Sequence, residues 1–374
     1  MRISQFVCLL IVFMSCNPKS AGPGQNDKDI FEYSKDCRQV KEFVPNQLLV
    51  YGAKPVKESN MDTILSCPCG DSIYLVVYGD YVTNFEAEEE KIRPPANKEG
   101  GITKNFIFDF PKMKDTTKIA GYLKNEVAAK NETSQNKVSV LDTGIHPSRN
   151  LNSKVSSSGC PYFDRPDMHG HGSFVSFLIL QTILDERGRS GSSASVDFNL
   201  FSYNVTNDNG EIDLFNVMCA MEHAAEKGSK VINLSFGADM EIPVFRTFME
   251  RLLSRYPQLK IITSAGNNNY NLDVKVHVPS TYYRSFPGRV FQIAALNLPD
   301  SVSTWTMWPG SNHLTKGNLA AQGVHCFNGD FAAGTSFAAP IVSGLVTNGF
   351  NVIQPVPTDV AYFKNQYPFR MNWR

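Results

Sequence analysis

Four side chains in this 374-residue chain have the chemistry to attack a carbonyl carbon and move the protons that follow. Ser336 stands in Gly334-Thr335-Ser336-Phe337-Ala338-Ala339-Pro340, a glycine turn that delivers a hydroxyl to the start of a helix. There the unpaired helix N–H groups and the positive end of the dipole favour negative charge. Pro340 is the odd residue of that helix, because it removes one backbone donor. His171 lies in His169-Gly170-His171-Gly172-Ser173-Phe174-Val175, where one histidine is placed to act as a general base. Asp142 follows the apolar Val138-Ser139-Val140-Leu141 and precedes Thr143-Gly144, which makes it a carboxylate held at a strand end. Asn267 ends Ser264-Ala265-Gly266-Asn267, an amide at the rim of a sheet that can donate to a developing oxyanion. A rival reading of the histidine segment is a metal site built from His169, His171, Asp164, Asp167 and Cys160.

These residues need a scaffold that brings distant segments to one edge. From residue 138 onward, short apolar strands alternate with helical segments, which predicts a parallel sheet wrapped by helices. Strands are expected at 138–141, 198–203, 231–234, 261–263 and 290–295, and helices at 173–184, 213–227, 244–256 and over the Ser336 segment. In such sheets ligands gather at the carboxyl ends of strands, where Asp142, Ser235 and Asn267 fall.

In this order the motifs resemble those of the subtilisin-like serine proteases, over roughly residues 116–350. The order Asp, His, Ser is that family's and differs from the chymotrypsin-like and α/β-hydrolase orders. The resemblance implies a three-layer α/β fold with a mostly parallel central sheet. It implies a serine endopeptidase that works through an acyl-enzyme, with Asp142, His171 and Ser336 as catalytic triad and Asn267 as oxyanion donor. His171 matches the family base rather than His169, because Gly172-Ser173 follows it where the family has Gly-Thr. Ser235, Phe236 and Gly237 match the segment that pairs with substrate backbone and borders the main specificity pocket; Ala265 and Gly266 match the facing wall. A silent subtilase-fold binding or chaperone-like lipoprotein is the alternative. The chain departs from the pattern at Asn268-Asn269, where an altered turn is expected, and at Ala321-Gln322-Gly323, which lacks the family's Pro. Little chain follows Ser336, so the last helices of the fold are expected to be trimmed. The chemistry needs no cofactor. Structural calcium is common in the family, and no oxygen-rich loop stands out here to hold it.

The N-terminus has the pattern of an export signal: Arg2, then an apolar run from Phe6 to Met14, too short to span a bilayer. Phe13-Met14-Ser15-Cys16 resembles the lipobox of bacterial lipoproteins, with Cys16 as the lipidated residue, residues 1–15 as signal and 16–30 as tether. Plain secretion and an uncleaved anchor are the other fates of such a segment. Export permits disulfides, and six cysteines remain: Cys37, Cys67, Cys69, Cys160, Cys219 and Cys326. Their pairing is open, with Cys37 a partner for one of Cys67 and Cys69. Residues 31–115 predict a small α+β or β-rich module, with strands at 47–51, 72–78 and 105–110 and an exposed loop over Glu86–Glu90. It stands where subtilases often carry an inhibitory prodomain; a retained, non-inhibitory domain is the other reading. A helix is expected at 116–130, and residues 116–374 form the catalytic domain. With 36 basic and 36 acidic side chains there is no electrostatic case for nucleic acid. The partners implied are a peptide or protein substrate, the module itself, and a membrane through the lipid at Cys16 of the exported protein.

Overall fold

The computed structural model describes residues 31–32, 42–70, 72–92, 100–110, 112–113, 133–146, 155–189, 198–297, 305–315, 319–327 and 330–349. The signal, the tether, Cys16, Cys37 and the helix expected at 116–130 lie outside them.

Seven parallel strands form the central sheet, in the order Leu319–Gln322, Val290–Leu296, Lys260–Ser264, Val231–Leu234, Lys137–Asp142, Asn199–Asn204 and Ser156–Ser157. Every residue of Val231–Leu234 and of Val290–Leu296 is buried, as expected of strands covered on both faces. Side chains alternate between two cores. Val138, Val140, Ile262 and Ile293 join the helices His171–Arg189 and Thr335–Thr347 on one face. Leu141, Ile232, Leu234 and Ile261 join Leu214–Glu226 and Pro243–Arg255 on the other.

The N-terminal module is an antiparallel sheet in the order Gly101–Phe108, Phe43–Tyr51, Ile73–Tyr78, Met61–Ser66. Ile212–Asp213 adds to its edge from the catalytic part, through pairs Ile212 with Phe108 and Asp213 with Ile107. Leu49, Tyr51, Ile73, Leu75 and Phe108 then bury against the two helices of the second core. The Asn105 side chain accepts from the Phe215 N–H at 3.0 Å, so the module caps the start of the Leu214–Glu226 helix.

Two expectations for the module are corrected. Glu86–Glu90 is not loop but part of the helix Phe85–Ile92. Asn84 caps it by accepting from the Ala87 N–H, and Phe85 and Ile92 at its two ends pack on the module core. The paired cysteines do not use Cys37: Cys67 bonds to Cys219 and Cys69 to Cys160, so both bridges run from the module to the catalytic part.

Candidate active site

The site lies at the carboxyl ends of three adjacent strands, and each side chain is fixed by backbone donors or close packing. Asp142 is the last residue of its strand and fully buried. Its Oδ1 accepts from the Thr143 N–H at 2.8 Å and from His171 Nδ1 at 2.8 Å. A carboxylate here only accepts, so Nδ1 is the donor of this pair and Nε2 faces away from it. His171 begins its helix and is also fully buried.

Asp167 builds that helix start. Its Oδ1 accepts from the N–H groups of His169 and Gly170 and from Thr143 Oγ1, and its Oδ2 from the N–H and Oγ of Ser173. Sequence reasoning grouped Asp167 with metal ligands; its place four residues before His171, ahead of an apolar helix, was the capping signal. Asp164 accepts from Ser157 Oγ and the Ser158 N–H, while Cys160 is in a disulfide. No three His, Cys, Asp or Glu side chains among the described residues are grouped to hold a metal. Gly172 permits the close approach: a Cβ there would lie 2.5 Å from the Gly144 carbonyl oxygen, against the turn that follows Asp142.

Ser336 is the second residue of the helix Thr335–Thr347. Its neighbour Phe337 sets its ring 5.6 Å from that of His171. Pro340 cannot give the Ser336 carbonyl its helical N–H partner. Ser235 Oγ donates to that carbonyl instead, at 2.9 Å, and Ser336 Oγ donates to the Ser235 carbonyl at 2.8 Å. Asn233 Nδ2 holds Ser235 Oγ at 2.9 Å, and Asn233 Oδ1 accepts from Ser343 Oγ further down the same helix. The proline and Ser235 thus form one arrangement.

Asn267 Oδ1 accepts from both the N–H and the Oγ1 of Thr335, each at 2.9 Å. With its oxygen engaged twice, its NH₂ points the other way. In the turn after Asn267, Asn269 takes φ 55°, a left-handed conformation that asparagine tolerates. Gly237 and Gly266 both abut the ring of His277, with Phe236 and Ala265 buried beside them.

The chain itself lies on this surface. Just past Gly101–Phe108, Asp109 pairs antiparallel with Gly237: Asp109 N–H to Gly237 O at 2.7 Å, and Gly237 N–H to Asp109 O at 3.1 Å. Phe108 buries against Phe236 and Phe245, and the Phe110 ring lies 5.7 Å from that of His171.

Residues 133–351 match the sequence profile of the Subtilase family. Thermophilic serine proteinase of Bacillus sp. (strain AK1) is 25% identical over 226 residues, covering 57% of this chain and 51% of that protein. Halolysin of Haloferax mediterranei is 26% identical over 249 residues, 61% of this chain and 44% of that protein. The chain thus spans about half the length of the curated relatives it matches. Among solved structures, fervidolysin from Fervidobacterium pennivorans is similar with a TM-score of 0.48 at 18% identity, covering 85% of this chain and 55% of that one.

Proposed function

The chain belongs to the subtilase family, and from that premise we propose that it is a serine endopeptidase with Asp142, His171 and Ser336 as its triad. The observation that carries the reading is the buried hydrogen bond of Asp142 to His171, beside the helix whose second residue is Ser336. In the reaction, Ser336 Oγ turns from the Ser235 carbonyl to His171 Nε2, gives up its proton and attacks a peptide carbonyl. Asp142 keeps the imidazole in the tautomer with a bare Nε2 and stabilises the imidazolium that forms. The Asn267 NH₂ and the Ser336 N–H bind the oxyanion. His171 then protonates the leaving amine, and water, deprotonated by His171, releases the acyl group.

Substrate binds extended, as a strand beside Ser235–Gly237, and the chain's own Asp109 supports this by pairing there. By the same reading the module is an intramolecular inhibitor, because its last strand leads Phe108, Asp109 and Phe110 into the groove. Two disulfides fit an exported protein, with Cys16 as the lipidated residue and the cell envelope as its address.

The test is to express residues 17–374 and follow chain mass and fluorophosphonate labelling beside Ser336→Ala. Labelling at Ser336 and a cut within 111–136, both absent in the variant, are expected. A well-folded wild type that does neither overturns the endopeptidase reading in favour of a silent binding protein. Labelling without a cut keeps the protease and removes the prodomain role.

A further inference from the structure

The gap between Gly237 and Gly266 is already filled by a side chain of the protein. A Cβ on Gly237 would lie 2.2 Å from His277 Nε2, and a Cβ on Gly266 would lie 2.8 Å from the same atom and 2.3 Å from Asn312 Nδ2. Both glycines therefore point at one imidazole, which stands between the segment that carries Ser235–Gly237 and the segment that carries Ala265–Gly266.

That ring is held firmly. His277 Nδ1 bonds Asp239 Oδ1 at 2.6 Å. The His277 carbonyl accepts from the Thr281 N–H, Thr281 Oγ1 and Ser280 Oγ. Ala238 and Val278, its neighbours on either side of the pair, exchange backbone hydrogen bonds at 2.8 and 3.0 Å. The side chain is only 7% exposed, and Nε2 has no hydrogen-bond partner among the described residues. The carboxylate makes Nδ1 the donor of that pair, which leaves Nε2 directed at the two glycines.

We propose that His277 is the specificity-determining residue of this site, flooring the pocket so that it takes a short side chain (Gly, Ala or Ser) on the residue whose carbonyl is attacked. The inference rests on the endopeptidase reading above. A long apolar side chain would have to displace a ring pinned at both its backbone and its Nδ1. A short one fits above the ring, and a serine hydroxyl gives Nε2 the donor it lacks. Leaving a buried acceptor bare has a cost that substrate can remove.

Two tetrapeptide diphenyl phosphonates that differ only in their last residue, Ala or Phe, test this on residues 17–374. Any competition from the module slows both alike, so the ratio of Ser336 labelling rates is readable. In the wild type Ala is expected to exceed Phe by about tenfold or more, and His277→Gly to lower that ratio by at least about tenfold. A smaller wild-type ratio overturns the inference, whether or not the variant folds. So does an unchanged ratio in a His277→Gly protein that still melts cooperatively. If a plain fluorophosphonate also leaves Ser336 unlabelled, the endopeptidase reading fails and takes this inference with it.

Discussion

Two histidine–aspartate pairs lie in this crevice, alike in chemistry and unlike in setting. His171 and Asp142 meet at 2.8 Å with both side chains fully buried; His277 and Asp239 meet at 2.6 Å with the carboxylate 36% exposed. In each the carboxylate fixes the proton on Nδ1 and turns Nε2 towards the site. What separates them is what Nε2 faces. His171 stands beside the helix that carries Ser336 as its second residue, against the rings of Phe110 and Phe337. His277 Nε2 faces Gly237 and Gly266, with the Asn312 amide beside the second glycine. The pair by itself is therefore no signature of a base: on the readings proposed above, one pair relays a proton where a nucleophile adjoins and the other forms a wall.

The largest effect should come from neutralising each carboxylate in turn. Asp142→Asn is expected to lower kcat/KM by about 10⁴, because an amide there can stabilise the wrong tautomer. Asp239→Asn should stay within about tenfold in fluorophosphonate labelling while shifting the Ala-to-Phe ratio. Equal losses in the two variants would break the distinction.

A buried carboxylate elsewhere in the fold sharpens it. Asp213 caps the Leu214–Glu226 helix through the Asn216 N–H at 2.9 Å. Burial pushes its pKa up from 3.8 to about 7, against the lowering by its hydrogen bonds to Asn216, Asn105 and Asn207. Between about 4 and 7 the folded chain then holds a proton that the unfolded chain has released, so this group's contribution falls as pH rises through that window. Buried His325, lowered to about 4 by desolvation, works in the opposite sense between about 4 and 6.5. Asp213→Asn in a Ser336→Ala background isolates the first effect, since His325 is common to both proteins. The variant should gain stability relative to its parent as pH rises from 4.5 to 8, by a few kcal/mol at most (about 1.4 kcal/mol per pK unit). Urea midpoints that run parallel across that range would show that Asp213 ionises normally.

The smallest effect is at the rim. Asn268 Nδ2 donates to Asp239 Oδ2 at 2.9 Å between exposed groups. Asn268→Ala should change stability by less than about 1 kcal/mol and leave the Ala-to-Phe ratio unchanged within error. A large shift would mean that the exposed contact, and not the buried one, holds His277 in place.

The parallel core was legible because its strands are covered on both faces and therefore read as short apolar runs. Leu319–Gln322 was not: Leu-Ala-Ala-Gln has little strand propensity of its own and is a strand because it pairs with Val290–Leu296. The helix Phe85–Ile92 was hidden by its acidic middle, since its anchors sit only at its ends. Asp142, His171, Asn267 and Ser336 could be picked out because each sits in a local motif with a turn glycine nearby. His277 could not, because its meaning depends on Gly237 and Gly266, which are local to neither it nor each other. The Cys67–Cys219 and Cys69–Cys160 pairings, separated by 152 and 91 residues, were equally out of reach.

Those two bridges change what a backbone cut can accomplish. Both leave the module ahead of residues 111–136 and land beyond it, so hydrolysis there opens a loop without producing two molecules. Under oxidising conditions the cut chain keeps its full mass plus one water, and only a reductant resolves it into fragments. Departure and return of the module are then first-order events at an effective concentration that dilution does not change. If the module is the inhibitor proposed above, dilution into a large volume leaves the site as occupied as it is in a test tube, until a thiol or a second cut intervenes.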